Sequence, residues 1–325
     1  MRQLIIKEKE SGQRLDRYLG KYLDQAPKSF LYKMLRKKNI TLNGRKADGS
    51  EKLDPGDEIK LFLSEETLGK FCRGQEMPET GFDKVPLEIV YEDQDVLLIN
   101  KPVGMLSQKA EKEDVSLCEY LIDYLLEKGE LTQEDLRTFR PGVCNRLDRN
   151  TSGLVAAGKT LHGLQELSRC FKDRTIHKYY LAAVKGRIEK PAHIKGFLWK
   201  REQENKSQIL KTQRKGSQPI ETKYVPLSRT GDATLLQVEL LTGRSHQIRS
   251  HLASIGHPVL GDWKYGEKKI NERIKAQYGV TSQLLHAWKL EFPQKEQGLA
   301  RLAGKTFTAE LPEGFQRAAR EEGLL

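Results

Sequence analysis

The residues of this chain with the clearest chemical potential fall in three short stretches. In residues 145–153 (NRLDRNTSG), Asp148 lies between two arginines, and a turn-forming run follows it. A strand-like run comes next, and a carboxylate on a loop ahead of a strand suits an active site. The same residues also fit an ordinary turn in which Asp148 caps a nearby backbone amide.

The second stretch offers an aromatic hydroxyl. Tyr180 alternates with other residues along a strand-like run, so that it shares one face with Ala182 and Val184. Its ring would pack among apolar neighbours and leave a polar tip available for chemistry. An ordinary core tyrosine fits the same pattern, and the spacing alone does not separate the two interpretations.

The third stretch, residues 240–252 (LLTGRSHQIRSHL), combines a predicted helix with two arginines. Ile248, Leu252 and Ile255 have the spacing of an apolar helix face, and Arg249 lies at the edge of that face. Its guanidinium can therefore point into a site while the helix packs on a sheet. Arg244 lies at the N-terminal end of the same helix, where backbone amides and the helix dipole favour an anion.

No metal or cofactor is predicted. The phosphate-binding pattern G-x-x-x-x-G-K-[ST], the dinucleotide pattern G-x-G-x-x-G and the nucleophile elbow G-x-S-x-G are all missing from the sequence. The four cysteines form no C-x-x-C pair, so neither a zinc cluster nor a disulfide framework is expected. His246 and His251 are five residues apart rather than four, and each fits a surface or structural histidine.

Composition indicates a polyanion as the first partner to consider. The 325 residues suggest about two domains, and the excess of 56 Lys and Arg over 45 Asp and Glu gives a net charge of +11. The mean hydropathy is −0.64, and no window approaches the ~18 apolar residues of a membrane span. The first residues are too quickly charged for a signal peptide, so we expect a cytoplasmic protein.

Residues 1–63 form a separate basic unit, with 15 Lys and Arg against 9 Asp and Glu. Leu15, Leu19 and Leu23 recur every four residues, as on one helix face. A second helix-like run ends in an acid-free cationic segment, and the hairpin turn Asn43-Gly44 follows. Charge runs are usually solvated faces, but this one adjoins a turn-rich surface that can follow a phosphate backbone. The candidate RNA-binding residues in it are Lys33, Arg36, Lys37 and Lys38.

The rest of the chain divides into a linker and a larger domain. Residues 64–84 are mixed and polar, and we interpret them as a linker. Residues 85–325 then form an α+β domain, in which the strand-like runs are not separated by regular helices. This order disfavours a doubly wound parallel sheet and predicts a mainly antiparallel sheet with flanking helices. The strand-like runs are 87–91, 96–100, 154–157, 178–184, 222–227 and 235–241, and the helix-like runs are 117–128, 161–171 and one after Gly243.

The three stretches together resemble the RluA-type pseudouridine synthases. Arg146-Leu147-Asp148 with Thr151-Ser152-Gly153 resembles the central motif of that family, and Lys178 with Tyr180 resembles the motif that carries its tyrosine. Residues 243–251 (GRSHQIRSH) resemble its arginine motif, and 96–102 (VLLINKP) resemble its entry strand. One position departs from the pattern, because the family most often has His where this chain has Asn145. Most of residues 11–63 resemble the alpha-L RNA-binding module first known from ribosomal protein S-four.

The resemblance implies a role for each candidate residue. Asp148 is expected to be the catalytic nucleophile, Arg249 the arginine that pairs with it, and Tyr180 the active-site tyrosine. Arg146 is expected to fill the space that a uridine leaves when it is extruded from the RNA, and Arg244 to bind RNA. Asp148 either attacks C1′ of the ribose or assists a glycal-type elimination, and the sequence leaves both routes open.

The expected activity is that of an RNA pseudouridine synthase, an isomerase that needs no cofactor. The reaction breaks the C1′–N1 bond of a uridine, rotates the uracil and rejoins it through C5. Large-subunit ribosomal RNA is the expected substrate, with transfer RNA as the alternative. A non-catalytic RNA-binding ribosome-assembly factor and an N-glycosidase acting on another substrate remain rival hypotheses. We expect a monomer that associates with neither a membrane nor a nucleotide cofactor.

Overall fold

The fold is taken from a computed structural model, which describes residues 1–72, 85–201, 206–295 and 298–325. Among these residues, no helix is long and apolar enough to cross a membrane. The described chain contains a small N-terminal unit and a larger unit built on one extended sheet.

The N-terminal unit packs two helices on a four-stranded sheet, in the strand order β1-β4-β2-β3. Leu15, Leu19 and Leu23 are fully buried in its core, which confirms the helix face predicted from their spacing. Asn43 and Gly44 both have positive φ angles, as the tight turn between β2 and β3 requires. The elements are β1 Arg2–Ile5, α1 Leu15–Tyr22, α2 Lys28–Arg36, β2 Ile40–Leu42, β3 Arg45–Lys46 and β4 Glu58–Leu61.

A third helix, α3 Glu65–Phe71, lies in the first part of the stretch that we interpreted as a linker. The Ser64 side chain caps it by accepting a hydrogen bond from the amide of Thr67 at 3.2 Å. Leu68 is buried in the same core as α1 and α2. The N-terminal unit therefore continues through α3, because one buried leucine on a short polar helix is enough to dock it. The remainder of the expected linker, residues 73–84, lies outside the described residues.

The larger unit confirms the prediction of an α+β domain with a mainly antiparallel sheet. Its strands are paired in the order β11-β10-β12-β13-β9-β14-β8-β6-β5, with β7 beside β8 and β15 beside β14. The strands are β5 Glu88–Glu92, β6 Val96–Lys101, β7 Gly142–Val143, β8 Ser152–Gly158, β9 His177–Lys185, β10 Ala192–Arg201, β11 Lys206–Leu210, β12 Gln218–Arg229, β13 Ala233–Leu240, β14 Leu285–Glu291 and β15 Thr306–Thr308.

One pair of neighbouring strands, β8 and β14, is parallel, and it joins two antiparallel parts of the sheet. The register is short and sets Ser152 opposite His286 and Gly153 opposite Ala287. A Cβ atom on Gly153 would lie 2.3 Å from the carbonyl oxygen of Ala287. Glycine is therefore required here for the two strands to approach so closely.

Helices cover both faces of the sheet, so strand β6 is buried along its whole length. All six residues of β6 are buried, with Leu97 and Ile99 in one apolar cluster and Val96 and Leu98 in another. A continuous apolar run of this kind is typical of a strand that is buried on both faces. The helices are α4 Leu117–Glu127, α5 Leu161–Asp173, α6 Gln247–Ser254, α7 Lys268–Tyr278 and α8 Glu313–Glu321.

The two units are joined by ion pairs at a short helical turn that contains Asp135. The Asp135 carboxylate is almost fully buried and accepts hydrogen bonds from the ammonium groups of Lys7, at 2.6 Å, and Lys9, at 2.8 Å. These lysines hold the pKa of Asp135 at about 2, against the cost of its burial. Lys21 adds a hydrogen bond to the carbonyl oxygen of Thr138.

Candidate active site

The loop that carries Asp148 is held by contacts of its backbone, and these contacts do not use the Asp148 carboxylate. The amide of Thr151 donates to the carbonyl oxygen of Asp148 at 3.0 Å and closes the turn. Leu147 is buried just before it, and its amide donates to the Ser107 hydroxyl. The side chain of Asp148 is therefore not the cap of its own turn. It is one-quarter exposed and points towards helix α6.

Lys101, at the end of β6, holds this loop through hydrogen bonds to backbone carbonyl oxygens. Its ammonium group is fully buried and donates to the carbonyl oxygens of Pro102 and Met105, both at 2.8 Å, and of Arg149 at 3.2 Å. Burial lowers the pKa of Lys101, and the negative charge of Asp148 opposes that shift. The sequence analysis included this lysine in the entry strand of the resemblance and assigned it no role. Its signal in the sequence is a cation at the end of a strand whose first four residues are apolar.

Asn145 replaces the histidine that is usual at this point in the resembling family, and its contacts are structural. Its side-chain amide donates to the carbonyl oxygen of Leu154 at 3.1 Å, and its side-chain oxygen accepts from the amide of Ala156 at 2.8 Å. The side chain therefore pairs with strand β8 as a backbone would. This pairing anchors the loop at a point three residues before Asp148.

Arg249 connects Asp148 to a second carboxylate. Its Nη1 atom donates to Oδ2 of Asp148 at 2.9 Å, while Nε and Nη2 donate to the two oxygens of Asp262 at 2.7 and 2.8 Å. Arg249 and Asp262 are buried, so the pair is a bidentate ion pair in a poorly solvated setting. The two carboxylates raise the pKa of Arg249, and the arginine lowers the pKa of Asp262. Asp262 is not among the residues predicted from the sequence, and its role comes from the fold.

Tyr180 satisfies both interpretations of its sequence pattern. It belongs to an apolar cluster that contains Ala182 and Val184, and it also lines the cavity beside Asp148. Among the described residues, none forms a hydrogen bond with its hydroxyl group. Burial and the charge of Asp148 both raise the pKa of Tyr180, so the phenol stays protonated at neutral pH.

One cavity of about 490 Å³, a volume that is typical of ligand sites, is lined by Asn145, Asp148, Tyr180 and Arg249 among others. Within the described part of the chain, Asp148 is the one carboxylate in its lining, and the other charged groups are cationic. The cations are Arg146, Lys172, Arg174, Lys178, Arg244 and Arg249. A cavity of this kind attracts a polyanion and offers it one acidic group.

The predicted site residues fall into two separate groups. Asp148, Tyr180, Arg249, Arg146 and Arg244 all meet at the cavity. The four cations of the N-terminal unit do not line it. They are exposed residues at the end of α2 and just after it, and we call them the α2 basic cluster. Its members are Lys33, Arg36, Lys37 and Lys38.

His246 and Tyr265 are cavity neighbours whose importance the sequence analysis did not predict. His246 lines the cavity, and its Nε2 atom lies 3.9 Å from Oδ2 of Asp148. The ring of Tyr265 lies 5.3 Å from the Arg249 guanidinium carbon, measured to the ring centroid. Its hydroxyl oxygen is 3.0 Å from Nδ1 of His246.

A carboxylate held by a buried arginine in a cationic cavity suits an enzyme that performs acid–base or covalent chemistry on a polyanion. Comparisons with known proteins specify the class. The chain matches the family model described as RNA pseudouridylate synthase over residues 95–254. It is 32% identical over 310 residues to the ribosomal large subunit pseudouridine synthase C of Pasteurella multocida, covering 92% of this chain and 88% of the relative.

Two further relatives extend the comparison. The Escherichia coli ribosomal large subunit pseudouridine synthase C is 30% identical over 307 residues (91% of this chain, 89% of the relative). The Nitrosomonas europaea ribosomal large subunit pseudouridine synthase D is 28% identical over 298 residues (91% and 81%). The chain belongs to the RNA pseudouridylate synthase family, and its RluA-type resemblance is confirmed. It is accordingly an isomerase.

Solved structures support the fold. The human RNA pseudouridylate synthase domain containing 4 matches with a TM-score of 0.57 at 20% identity, over 73% of this chain and 93% of that structure. The human RNA pseudouridylate synthase domain containing 1 matches with a TM-score of 0.51 at 25% identity, over 72% and 94%. The covered share of this chain corresponds in size to the larger unit without the N-terminal one.

Proposed function

We propose that this chain isomerises specific uridines of large-subunit ribosomal RNA to pseudouridine, with Asp148 as the nucleophile. The observation that carries the proposal is the Asp148–Arg249 pair, in which a buried guanidinium holds a partly exposed carboxylate at the cavity. The names of the relatives, ribosomal large subunit pseudouridine synthases C and D, support this choice of RNA.

Asp148 acts as a carboxylate, and its hydrogen bond from Arg249 orients it. The arginine charge is itself neutralised by Asp262, so the carboxylate of Asp148 is oriented without being fully compensated. In the first half of the reaction, C1′ loses its bond to N1 while Asp148 either bonds to C1′ or assists elimination from the sugar. In the second half, the rotated uracil bonds to C1′ through C5. The C5 proton leaves, N1 gains a proton, and no redox step occurs.

Tyr180 lines the same cavity as Asp148, and we assign it to the C5 proton. Its hydroxyl is protonated because burial and Asp148 raise its pKa. An ionised phenolate base is therefore disfavoured, and a phenol that passes the proton on is favoured. Its ring also offers a face against which the uracil can stack.

RNA binding is divided between the cavity and the N-terminal unit. Arg146 and Arg244 lie at the cavity, where a uridine extruded from folded RNA would enter. We assign Arg146 to the gap that this uridine leaves in the stack. We assign the N-terminal unit, residues 1–63 together with α3, to an alpha-L RNA-binding domain whose α2 basic cluster contacts phosphates. Residues 85–325 are then the catalytic domain.

One chain supplies every cavity residue described above, which supports a monomeric enzyme. We place the reaction in the cytoplasm, on the basis of the bacterial relatives and their ribosomal substrates.

The test is tritium release from an unmodified large-subunit ribosomal RNA transcript labelled at C5 of uridine. The wild-type protein is expected to release tritium, and Asp148→Asn to bind the transcript without release. Asp232→Asn, an exposed carboxylate away from the cavity, is the matched control and should release tritium normally. Release from transfer RNA alone would reassign the substrate. Free uracil would indicate an N-glycosidase, and no turnover on any RNA would leave a binding protein.

A further inference from the structure

His246 faces the candidate nucleophile without touching it. Its Nε2 atom is 3.9 Å from Oδ2 of Asp148, which is too long for a hydrogen bond between the two. The side chain is about one-fifth exposed and lines the cavity. His246 also has a positive φ angle of 56°, in the left-handed region that a residue with a side chain adopts only at an energetic cost. The backbone therefore holds this imidazole at the cavity at an energetic cost.

The opposite side of the imidazole is fixed by Tyr265. The backbone amide of Ser207, in strand β11, donates to the Tyr265 hydroxyl oxygen at 2.9 Å. The phenol proton is then available to Nδ1 of His246, which lies 3.0 Å away. When Nδ1 accepts a hydrogen bond from the Tyr265 hydroxyl, the neutral imidazole of His246 carries its hydrogen on Nε2. Burial lowers the pKa of His246, which favours this neutral form.

The space between His246 and Asp148 consequently has a donor on one side and an acceptor on the other. If one oxygen atom bridged the two groups by hydrogen bonds, the angle at it between Nε2 of His246 and Oδ2 of Asp148 would be about 90°. One bridging atom can accommodate this angle. That atom must accept from Nε2–H and donate to the carboxylate. A phosphate oxygen or a uracil carbonyl oxygen has no proton to give, and the uracil N3–H group cannot accept. Among the groups of a uridine nucleotide, a hydroxyl group satisfies both neighbours.

An internal RNA nucleotide has one free hydroxyl, the 2′-OH, because its 3′ and 5′ oxygens are esterified. The 2′-OH is also bonded to C2′, next to the C1′ atom at which the proposed reaction occurs. We propose that His246 and Asp148 together bind the 2′-hydroxyl of the target uridine, with Tyr265 as the positioning residue that orients His246. This subsite makes the enzyme select ribose over deoxyribose. The inference rests on the proposed function.

The experiment uses the full-length protein and a synthetic RNA stem-loop around a uridine that the wild-type enzyme modifies. The stem-loop is made in two forms that differ only in ribose or 2′-deoxyribose at that uridine. The measured quantity is the ratio of kcat/KM for the two forms, from C5 tritium release. The wild-type ratio is expected to favour ribose by about tenfold or more, the size of one well-placed hydrogen bond.

Variants locate the origin of that preference. In His246→Ala the ratio is expected to fall by about tenfold, through slower reaction of the ribose form. His246→Gln keeps a neutral N–H donor of similar reach and should recover part of the ratio. Tyr265→Phe keeps the ring over Arg249 but loses the hydroxyl, so its ratio should also fall. His193→Ala, an exposed histidine on β10, is the matched control and should keep the wild-type ratio.

The outcomes separate this inference from the proposed function. No tritium release from any RNA by the wild-type protein would refute the proposed function itself. Release with a wild-type ratio near one, or with a ratio that folded His246→Ala and His246→Gln proteins leave unchanged, would overturn the 2′-hydroxyl subsite alone. A ratio lost in His246→Ala but kept in Tyr265→Phe would overturn the positioning role of Tyr265.

Discussion

Asp148 and Asp262 share one arginine, yet replacing each by asparagine should affect different properties, activity in one case and stability in the other. The side chain of Asp262 is fully buried, whereas that of Asp148 is 25% exposed. Asparagine has nearly the same shape as aspartate, so each substitution removes a charge without creating a cavity. We expect Asp262→Asn to reduce stability and Asp148→Asn to remove activity while the fold remains intact.

The magnitude follows from the hydrogen bonds of Asp262. One oxygen accepts from Nη2 of Arg249 and from the amides of Lys264 and Tyr265, and the other accepts from Nε of Arg249. In Asp262→Asn, the NH2 group of the new side chain would face an N–H group that donates to Asp262 in the wild type. The buried Arg249 guanidinium would also keep only one of its two carboxylate partners. Breaking a buried ion pair from one side costs about 3–5 kcal/mol. For the partly exposed Asp148, the corresponding cost is about 1 kcal/mol or less.

The assay is chemical denaturation followed by tryptophan fluorescence, together with tritium release. The three tryptophans all lie in the larger unit, so their fluorescence reports unfolding of the part that holds the site; they are Trp199, Trp263 and Trp288. Asp262→Asn should lower the free energy of unfolding by about 3–5 kcal/mol. Asp148→Asn should stay within about 1 kcal/mol of the wild type and show no turnover. Equal stability losses in the two variants would refute the reasoning, because burial would then not distinguish the carboxylates.

Three further predictions concern the tyrosine, the basic cluster and a buried histidine. Tyr180→Phe should bind RNA as the wild type does but release tritium at least about 100-fold more slowly, since the proton relay is lost; an unchanged rate would exclude a role for the hydroxyl. Replacing the whole α2 basic cluster by glutamine should reduce the slope of log Kd against log salt by about 3, at ~0.7 per lost phosphate contact on single-stranded RNA. An unchanged slope would remove this cluster from the RNA interface. Burial lowers the pKa of His286 to about 4, so below pH 6.5 the unfolded state binds the proton first, and stability falls as the pH drops towards 4. Urea titrations between pH 7 and 4 should show a slope smaller by about 1.4 kcal/mol per pH unit in His286→Gln; an equal slope would exclude this histidine.

Local periodicity explains what the sequence predicted well. The leucine spacing of α1, the apolar run of β6 and the helix that carries Arg249 are properties of neighbouring residues, and each was found where expected. Strands β10 and β11 were not predicted. They form one end of the sheet, where most of their residues are exposed or half-buried, so their apolar pattern is weaker than that of a buried strand.

The site was predictable where one motif carried one role, and less so where the role depends on a distant partner. Asp148 and Arg249 are 101 residues apart, and only the resemblance to a family brought them together before the fold did. Asp262, Lys101 and Tyr265 each act through contacts that the fold creates. No spacing rule in one sequence reveals such contacts, because they cross between separate elements.

The short parallel junction of β8 and β14 determines when the enzyme can first become active during folding. Asp148 precedes β8 on one side of this junction, whereas Tyr180 on β9 and Arg249 on α6 belong to the other side. Each side can form its own antiparallel pairs from contacts that are nearer in sequence, while the junction needs contacts across more than 130 residues. Long-range pairings of this kind form late and slowly. We therefore expect catalytic turnover to begin only after the two sides of the sheet have docked, so the recovery of activity on refolding should report the rate of that final step.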